Sequence, residues 1–223
     1  MNVVFLGPPG SGKGTQAKRL AADNKLTHLS TGDVFRDNIA GKTPLGLEIK
    51  GYVDGGKLVP DELVSRVVFD KIGQFPKGSG VLLDGYPRTL DQAKALDTWV
   101  KQNGRAIDAV LFFDVDFAEL TKRLSARRSC GKCKEVYNLV NKPPKKDGVC
   151  DLCGSSPLVH RPDDQPAVIQ ERLQVYSKQT EPILDYYRKQ PTFRRINGAQ
   201  AIEKVYAELD GALKDLAAKR ATA

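Results

Sequence analysis

Residues 3–15 read Val3-Val4-Phe5-Leu6-Gly7-Pro8-Pro9-Gly10-Ser11-Gly12-Lys13-Gly14-Thr15, and this stretch decides the fold. Four consecutive apolar residues running into a glycine read as a buried strand. Gly7, Gly12 and Lys13 stand at the G-x-x-x-x-G-K spacing of a phosphate loop. Glycines let backbone N–H groups turn inward without side-chain obstruction. The helix expected from Lys13 to Asn24 adds the partial positive charge of its free N-terminal N–H groups. Lys13 adds a full charge, placed for the β- and γ-phosphates of a nucleotide. One departure matters. The general motif has Ser or Thr directly after the lysine, where the hydroxyl binds magnesium, and here that place is Gly14, followed by Thr15. The departure argues against direct magnesium ligation by a loop hydroxyl and leaves room for another group to approach.

Outward from this loop, strands and helices alternate. Val81-Leu82-Leu83 is a second buried run, ending on Asp84, and Ala109 to Val115 is a third. Leu90 to Gln102 carries Leu90, Ala93, Leu96, Trp99 and Val100 at helical spacing, with Trp99 read as core packing. Phe117 to Arg127 is expected as a helix, which would put Arg123 and Arg127 on one face. Phe193 to Ile196 is a last strand before a C-terminal helix from Ala201. Strands separated by helices imply an α/β fold: a parallel sheet flanked by helices.

Two segments interrupt the alternation. Residues 30–59 hold short helical pieces, expected to break at Gly41, Gly51 and Gly55-Gly56. Residues 128–162 hold all four cysteines, Pro143-Pro144 and few apolar residues. Neither can build a core of its own, so both read as mobile insertions on a core made of 1–29, 60–127 and 163–223. Asp163-Asp164-Gln165-Pro166 reads as a helix start with an acidic cap, and Pro182 as a kink or restart.

Composition narrows the class. The chain has 223 residues, 40% hydrophobic and 28% charged, which is ordinary globular usage. No apolar stretch is long enough to span a membrane. The N-terminus reads as strand and loop rather than leader, which points to the cytoplasm. The net charge of +8 comes without a long Lys/Arg run or an aromatic-rich basic stripe. Nucleic acid is therefore not the expected partner, and the excess cations are expected where phosphates bind.

Cys130-Gly-Lys-Cys133 and Cys150-Asp-Leu-Cys153 are two C-x2-C knuckles sixteen residues apart. That spacing is a strong signal for zinc. Four thiolates close a tetrahedron and leave no position for a catalytic water, so the expected site is structural.

Further short motifs stand in order along the chain: Ser30-Thr31-Gly32-Asp33 with Arg36, Gly56-Lys57-Leu58-Val59, Asp84-Gly85-Tyr86-Pro87-Arg88, and Arg161-Pro162-Asp163-Asp164. With the loop from Gly7 to Thr15, the chain resembles the nucleoside monophosphate kinases, and the long, zinc-bearing-lid form of the adenylate kinase family in particular. The resemblance covers nearly the whole chain. It implies reversible transfer between ATP and AMP to give two ADP, with Mg2+ accompanying ATP and a monomeric protein.

By resemblance, ATP lies on Gly10, Ser11, Gly12, Lys13, Gly14 and Thr15, with Arg127, Val136, Tyr137 and Gln200. AMP lies on Thr31, Arg36, Lys57, Leu58, Val59, Gly85, Tyr86, Pro87, Arg88 and Gln92. Lys13, Arg88, Arg123, Arg161 and Arg172 surround the moving phosphoryl group, Arg161 and Arg172 also reaching AMP. The carboxylate of Asp84, at a strand end, suits magnesium directly or through water. Asp163 and Asp164 are expected as arginine partners, helix caps, or both. No general base is required, since the AMP phosphate is already mostly ionised near neutral pH, and neither His28 nor His160 receives a role. Two alternatives stay open: a related kinase using GTP as donor, and a phosphate-loop regulator whose zinc ribbon binds nucleic acid.

Overall fold

The structure, a computed structural model, describes residues 1–76 and 78–221. Strand β1 (Asn2–Leu6) is central. Around it lie β2 (Leu26–Ser30), β3 (Gly80–Asp84), β4 (Ala109–Asp114) and β8 (Phe193–Asn197), in the order β2-β3-β1-β4-β8, every neighbouring pair parallel. Side chains alternate across a strand, so β1 serves two apolar layers. Val4 and Leu6 join Val81, Leu83 and Val110 on one face, with Leu96 and Val100 of α5 (Leu90–Gln102). Val3 and Phe5 join Leu82, Leu111 and Phe113 on the other, with Leu20 of α1 (Lys13–Asp23) and Leu209 and Leu213 of α9 (Ile202–Ala221). Trp99 stacks on Phe69, ring centroids 5.2 Å apart, in the core-packing role expected for it.

Helices α2 (Thr31–Ala40) and α3 (Pro44–Asp54) occupy the first insertion. Ser30 caps α2 through the Asp33 N–H, and Thr43 caps α3 through the Gly46 N–H. Gly41 follows the first helix and Gly55 ends the second, but Gly51 lies inside α3 and does not break it. Helix propensity is a weak prior there, because Ile49 two residues earlier is fully buried and anchors the helix. Helix α4 (Asp61–Gly73) leads back to β3.

The second insertion lies between α6 (Phe117–Ser125) and α7 (Pro166–Val175). It is a three-stranded antiparallel sheet, order β6-β5-β7, of β5 (Arg127–Cys130), β6 (Val136–Asn138) and β7 (Leu158–Val159). The helix expected from Phe117 to Arg127 therefore stops at Ser125. Arg127 pairs with Asn138 in the β5–β6 ladder, so Arg123 and Arg127 do not share a helix face. After α7 a π-helical turn (Tyr176–Thr180) precedes Pro182, and α8 (Ile183–Tyr187) restarts there, as proline's missing N–H requires.

Candidate active site

The carboxyl ends of the parallel strands meet at one edge. Leu6, Ser30, Asp84, Asp114 and Asn197 end their strands there, and the chain runs to opposite sides of β1, the place where open α/β sheets bind ligands. A cleft of about 990 Å3 opens at this edge, roofed by the small sheet and flanked by α2 and α3.

The loop from Gly7 to Gly12 forms its floor. Gly7 has φ +142°, and a Cβ there would stand 2.8 Å from the Phe113 carbonyl oxygen, so only glycine fits. Gly10, Ser11, Gly12, Lys13, Gly14 and Thr15 all line the cleft. The Lys13 Nζ donates to the carbonyls of Gly7 (2.7 Å) and Pro8 (2.8 Å). Burial pulls the amine down to about 7; Asp84 opposes the shift, and Arg88, Arg172 and Arg127 add to it. A Cβ at Gly14 would lie 3.4 Å from Asp84 Oδ2, an ordinary contact that puts this carboxylate beside the position of the missing hydroxyl. Burial would raise the Asp84 carboxyl. The His28 imidazole, Nε2 3.6 Å from Oδ2, and the Lys13 ammonium outweigh it, and the net direction is down. His28 thus lies behind the site against Asp84 without lining the cleft.

On the α2–α3 side, Thr31 donates from Oγ1 to the Gly85 carbonyl at 2.9 Å. Gly85 has φ +83°, and a Cβ there would collide with that hydroxyl at 2.7 Å. Arg36 pairs with Asp33 at 2.7 Å. Burial pushes the Asp33 carboxyl up, Arg36 pulls it down, and Arg36 prevails. Arg88 donates from Nε to the Gly85 carbonyl at 2.8 Å, which aims its guanidinium into the cleft. Burial lowers its pKa against the attraction of Asp84. Lys57, Leu58, Val59, Pro87 and Gln92 also line this end. Tyr86 does not. It is fully buried, and its hydroxyl, 2.9 Å from Ser65 Oγ, donates to the Gln92 carbonyl at 3.2 Å. Past the end of β3, Gly85 at φ +83° turns the chain and sends the Tyr86 side chain into the core.

Four arginines converge from the opposite side. Arg123, on α6, donates to Glu119 and to the Gly198 carbonyl (2.9 Å). Arg127, at the start of β5, makes a two-pronged pair with Asp164, Nε to Oδ2 at 2.7 Å and Nη2 to Oδ1 at 2.5 Å. Arg172, on α7, reaches Asp164 Oδ1 at 3.0 Å and Asp163 Oδ2 at 2.9 Å. Arg161 donates to Ser129 Oγ at 2.8 Å. Burial lowers Arg161 to about 9, with Arg127 and Arg36 adding to the effect, and lowers Arg172 to about 10. Burial also opposes charge on Arg127, but the Asp164 pair overcomes it and the net shift is upward. Asp163 and Asp164 lie in a 3-10 turn (Pro162–Asp164), and neither caps α7 by a side-chain hydrogen bond; Gln165 holds the cap position. Their acceptors face guanidinium groups instead, so the helix-cap reading gives way to the arginine-partner one.

The roof touches both walls. Lys18 of α1 donates to the Lys134 carbonyl at 2.8 Å, and Lys134 pairs with Asp37 of α2. Val136, Tyr137 and Gln200 line the cleft on the roof side. The Tyr137 ring is nonetheless 98% buried within the small sheet, because its hydroxyl accepts from the Asp151 N–H at 2.7 Å and donates to Cys150 Sγ at 3.5 Å. Tyr137 thus belongs to the cysteine cluster as much as to the cleft.

Cys130, Cys133, Cys150 and Cys153 bring their sulfurs within 4.8 Å of one another. Cys130 to Cys153 and Cys133 to Cys150 are each 3.5 Å apart, too far for disulfides. Metal–sulfur bonds of about 2.3 Å in a tetrahedron give sulfur edges of about 3.8 Å, so the cluster fits a four-thiolate metal. The hydroxyl of Tyr137 and nearby backbone N–H groups pull the Cys150 thiol down, while the neighbouring thiols push Cys133 up, the split expected where four close thiols share protons that a metal would displace.

A phosphate loop, a carboxylate at the adjoining strand end and six arginines, all around one cleft, define a phosphate-loop phosphotransferase. The adenylate kinase family profile matches residues 5–192. The chain is 46% identical over 216 residues to an adenylate kinase of Clostridium acetobutylicum, covering 97% of this chain and all of the relative. It is 47% identical over 209 residues to one from Desulforudis audaxviator and 44% over 209 residues to one from Thermosipho africanus, covering in each case 94% of this chain and 97% of the relative. The chain belongs to the adenylate kinase family.

Proposed function

We propose that the cleft holds ATP and AMP with their phosphates facing each other, ATP over the Lys13 loop and AMP between Thr31, Arg36 and Gln92. The reaction is the reversible conversion of ATP and AMP to two ADP. The observation that carries the residue assignment is the meeting of Lys13 with Arg36, Arg88, Arg123, Arg127, Arg161 and Arg172 around one closed cleft. That much buried positive charge is costly unless anions fill it.

The chemistry follows from charge. The second phosphate pKa lies near 6, so the AMP oxygen is already a nucleophile and no side chain has to remove a proton. The chain's work is to hold two polyanions in line and offset the charge that spreads over the moving group. Lys13 and the loop N–H groups hold the donor phosphates. Arg36 and Arg88 hold the acceptor phosphate, while Arg123, Arg127, Arg161 and Arg172 surround the group in transit. Asp84 would hold the Mg2+ that accompanies ATP, directly or through water, and that ion would neutralise phosphate charge. The closed roof keeps water from competing with AMP. Zinc is the metal we assign to the four thiolates, in a purely structural role. Thiols kept reduced for a metal fit the cytoplasm, and a monomer suffices, because every assigned group comes from one chain.

The test is an inhibitor with two adenosines joined by five phosphates. It should compete with both ATP and AMP; competition with ATP alone would overturn the two-site reading.

A further inference from the structure

Gln92 is 2% exposed, yet it borders the cleft beside Thr31 and Arg88. A carboxamide has a donor end and an acceptor end, and rotation by 180° exchanges them. The distinction matters for a purine. The six-edge of adenine pairs an N6–H donor with an N1 acceptor, whereas hypoxanthine or guanine pairs an O6 acceptor with an N1–H donor. One amide orientation satisfies the first pattern, and the opposite orientation satisfies the second.

The structure allows only one orientation. The Arg88 backbone N–H, a donor with no alternative, reaches Gln92 Oε1 at 2.7 Å. On the other end, Gln92 Nε2 donates to Asp61 Oδ1 at 2.7 Å. Asp61 is itself held: its Oδ2 accepts from Thr89 Oγ1 at 2.6 Å, and Thr89 Oγ1 accepts the Gln92 N–H at 3.2 Å. Asp61 opens α4 and Thr89 caps α5, so both groups stand on fixed backbone. Turning the amide over would press an NH2 against an N–H and a carbonyl against a carboxylate. One hydrogen on Nε2 and one lone pair on Oε1 remain for a ligand.

We propose that Asp61 is a positioning residue that sets the base selectivity of the acceptor site by locking the Gln92 amide in the adenine-reading orientation. Asp61 touches neither substrate nor reacting atoms; it acts through Gln92. The inference rests on the reading that Gln92 faces the AMP base.

The experiment compares AMP with inosine monophosphate, which differs only at the six-edge, as acceptors at saturating ATP. The readout is the ratio of the two kcat/KM values on one sample, which partial unfolding does not move. Asp61→Asn offers either a donor or an acceptor to Gln92 and removes one of the two constraints on the amide, leaving only the Arg88 N–H to oppose its turning. The expected result is a fall in the AMP preference of about tenfold or more, carried by KM, with kcat for AMP nearly unchanged. Gln92→Leu should collapse the preference, and Asp61→Asn added to it should change the ratio no further. If Gln92→Leu leaves the preference intact, Gln92 does not read the base, and that part of the proposed function falls along with the inference. If Gln92→Leu collapses it while Asp61→Asn does not, the lock alone is overturned. A double variant whose ratio falls clearly below that of Gln92→Leu alone would also overturn it, since Asp61 would then act without Gln92.

Discussion

Asp164 is the place where one atom exchanged for another should cost the free protein most. Its side chain is 0% exposed and accepts three hydrogen bonds, two from Arg127 and one from Arg172. Asp164→Asn keeps the shape but turns one acceptor into a donor facing guanidinium donors, leaving Arg127 without its counter-charge and Arg172 with Asp163 alone. Breaking a buried pair by removing one partner costs about 3–5 kcal/mol. Arg127 and Arg172 keep 16% and 18% exposure, so some water reaches them and the lower end applies. For a chain of this size, about 3 kcal/mol lowers the melting temperature by about 6–12 °C. The assay is calorimetric melting of wild type and variant, with and without the five-phosphate dinucleoside. Bound phosphates supply the missing negative charge, so the gap between the two proteins should narrow when the inhibitor is present. Asp185→Asn, which removes an exposed partner of Arg188, serves as the control and should shift melting by less than about 2 °C. A ligand-free Asp164→Asn that melts within 2 °C of wild type, by this scale, would refute the reasoning. So would a gap that stays the same width when the inhibitor binds.

Four further outcomes follow from the cleft and the cysteine cluster. Arg88→Ala and Arg123→Ala should each lose turnover by about 100-fold or more while melting close to wild type, and near-normal turnover in a folded variant would remove that residue from its role. Lys13 sits at about 7 in the free protein, below its unfolded value, so it is largely neutral at pH 8, and phosphates should restore its proton. Titration calorimetry at pH 8 in buffers of different ionisation enthalpy should then report uptake of about one proton on ATP binding, falling toward zero at pH 6 and absent in Lys13→Met; heats independent of buffer at pH 8 would contradict it. Without ligand, the same shift gives a stability contribution that rises as pH rises from about 7 toward the unfolded lysine value, because the unfolded chain binds the extra proton there. Replacing Cys130 and Cys133 with Ser should remove the metal and lower the melting temperature, with only a modest loss of turnover below it; normal melting without metal would deny the structural role, and a folded, inactive protein would make the metal catalytic.

Much of this was legible in the sequence where physics is local. β1, β3 and β4 are unbroken apolar runs because both their faces are covered. The phosphate loop is a spacing of glycines and a lysine, and the cysteine knuckles are a spacing of thiols. The strand Leu26–Ser30 was missed for the converse reason: at the sheet edge it carries Thr27, His28 and Ser30 and lacks a continuous apolar run. Helix α4 had a usable signal in Leu63, Val64, Val68 and Ile72, all buried at helical spacing, and it carries Asp61. Arg127 was placed on a helix because a four-residue step from Arg123 looks helical. Its pairing with Asn138 is a tertiary fact that no local window contains. Tyr86 was carried into the site by its motif neighbours, while its ring is fixed by Ser65, twenty-one residues away.

The small sheet has a nested order along the chain: Arg127, then Cys130, Cys133, Cys150 and Cys153, then Arg161. The residues assigned to chemistry sit at the two points where the insertion leaves and rejoins the core, and the metal ligands lie wholly between them. The metal knuckles are therefore separable from the two arginines, while Val136 and Tyr137 between them keep the roof on the cleft. Any segment that delivers its ends to the same separation, whether held by thiolates, by hydrogen bonds or by an apolar plug, presents the same pair of arginines to the phosphates. Natural drift and deliberate grafting can both rewrite the interior of this segment while the reaction centre stays under separate control.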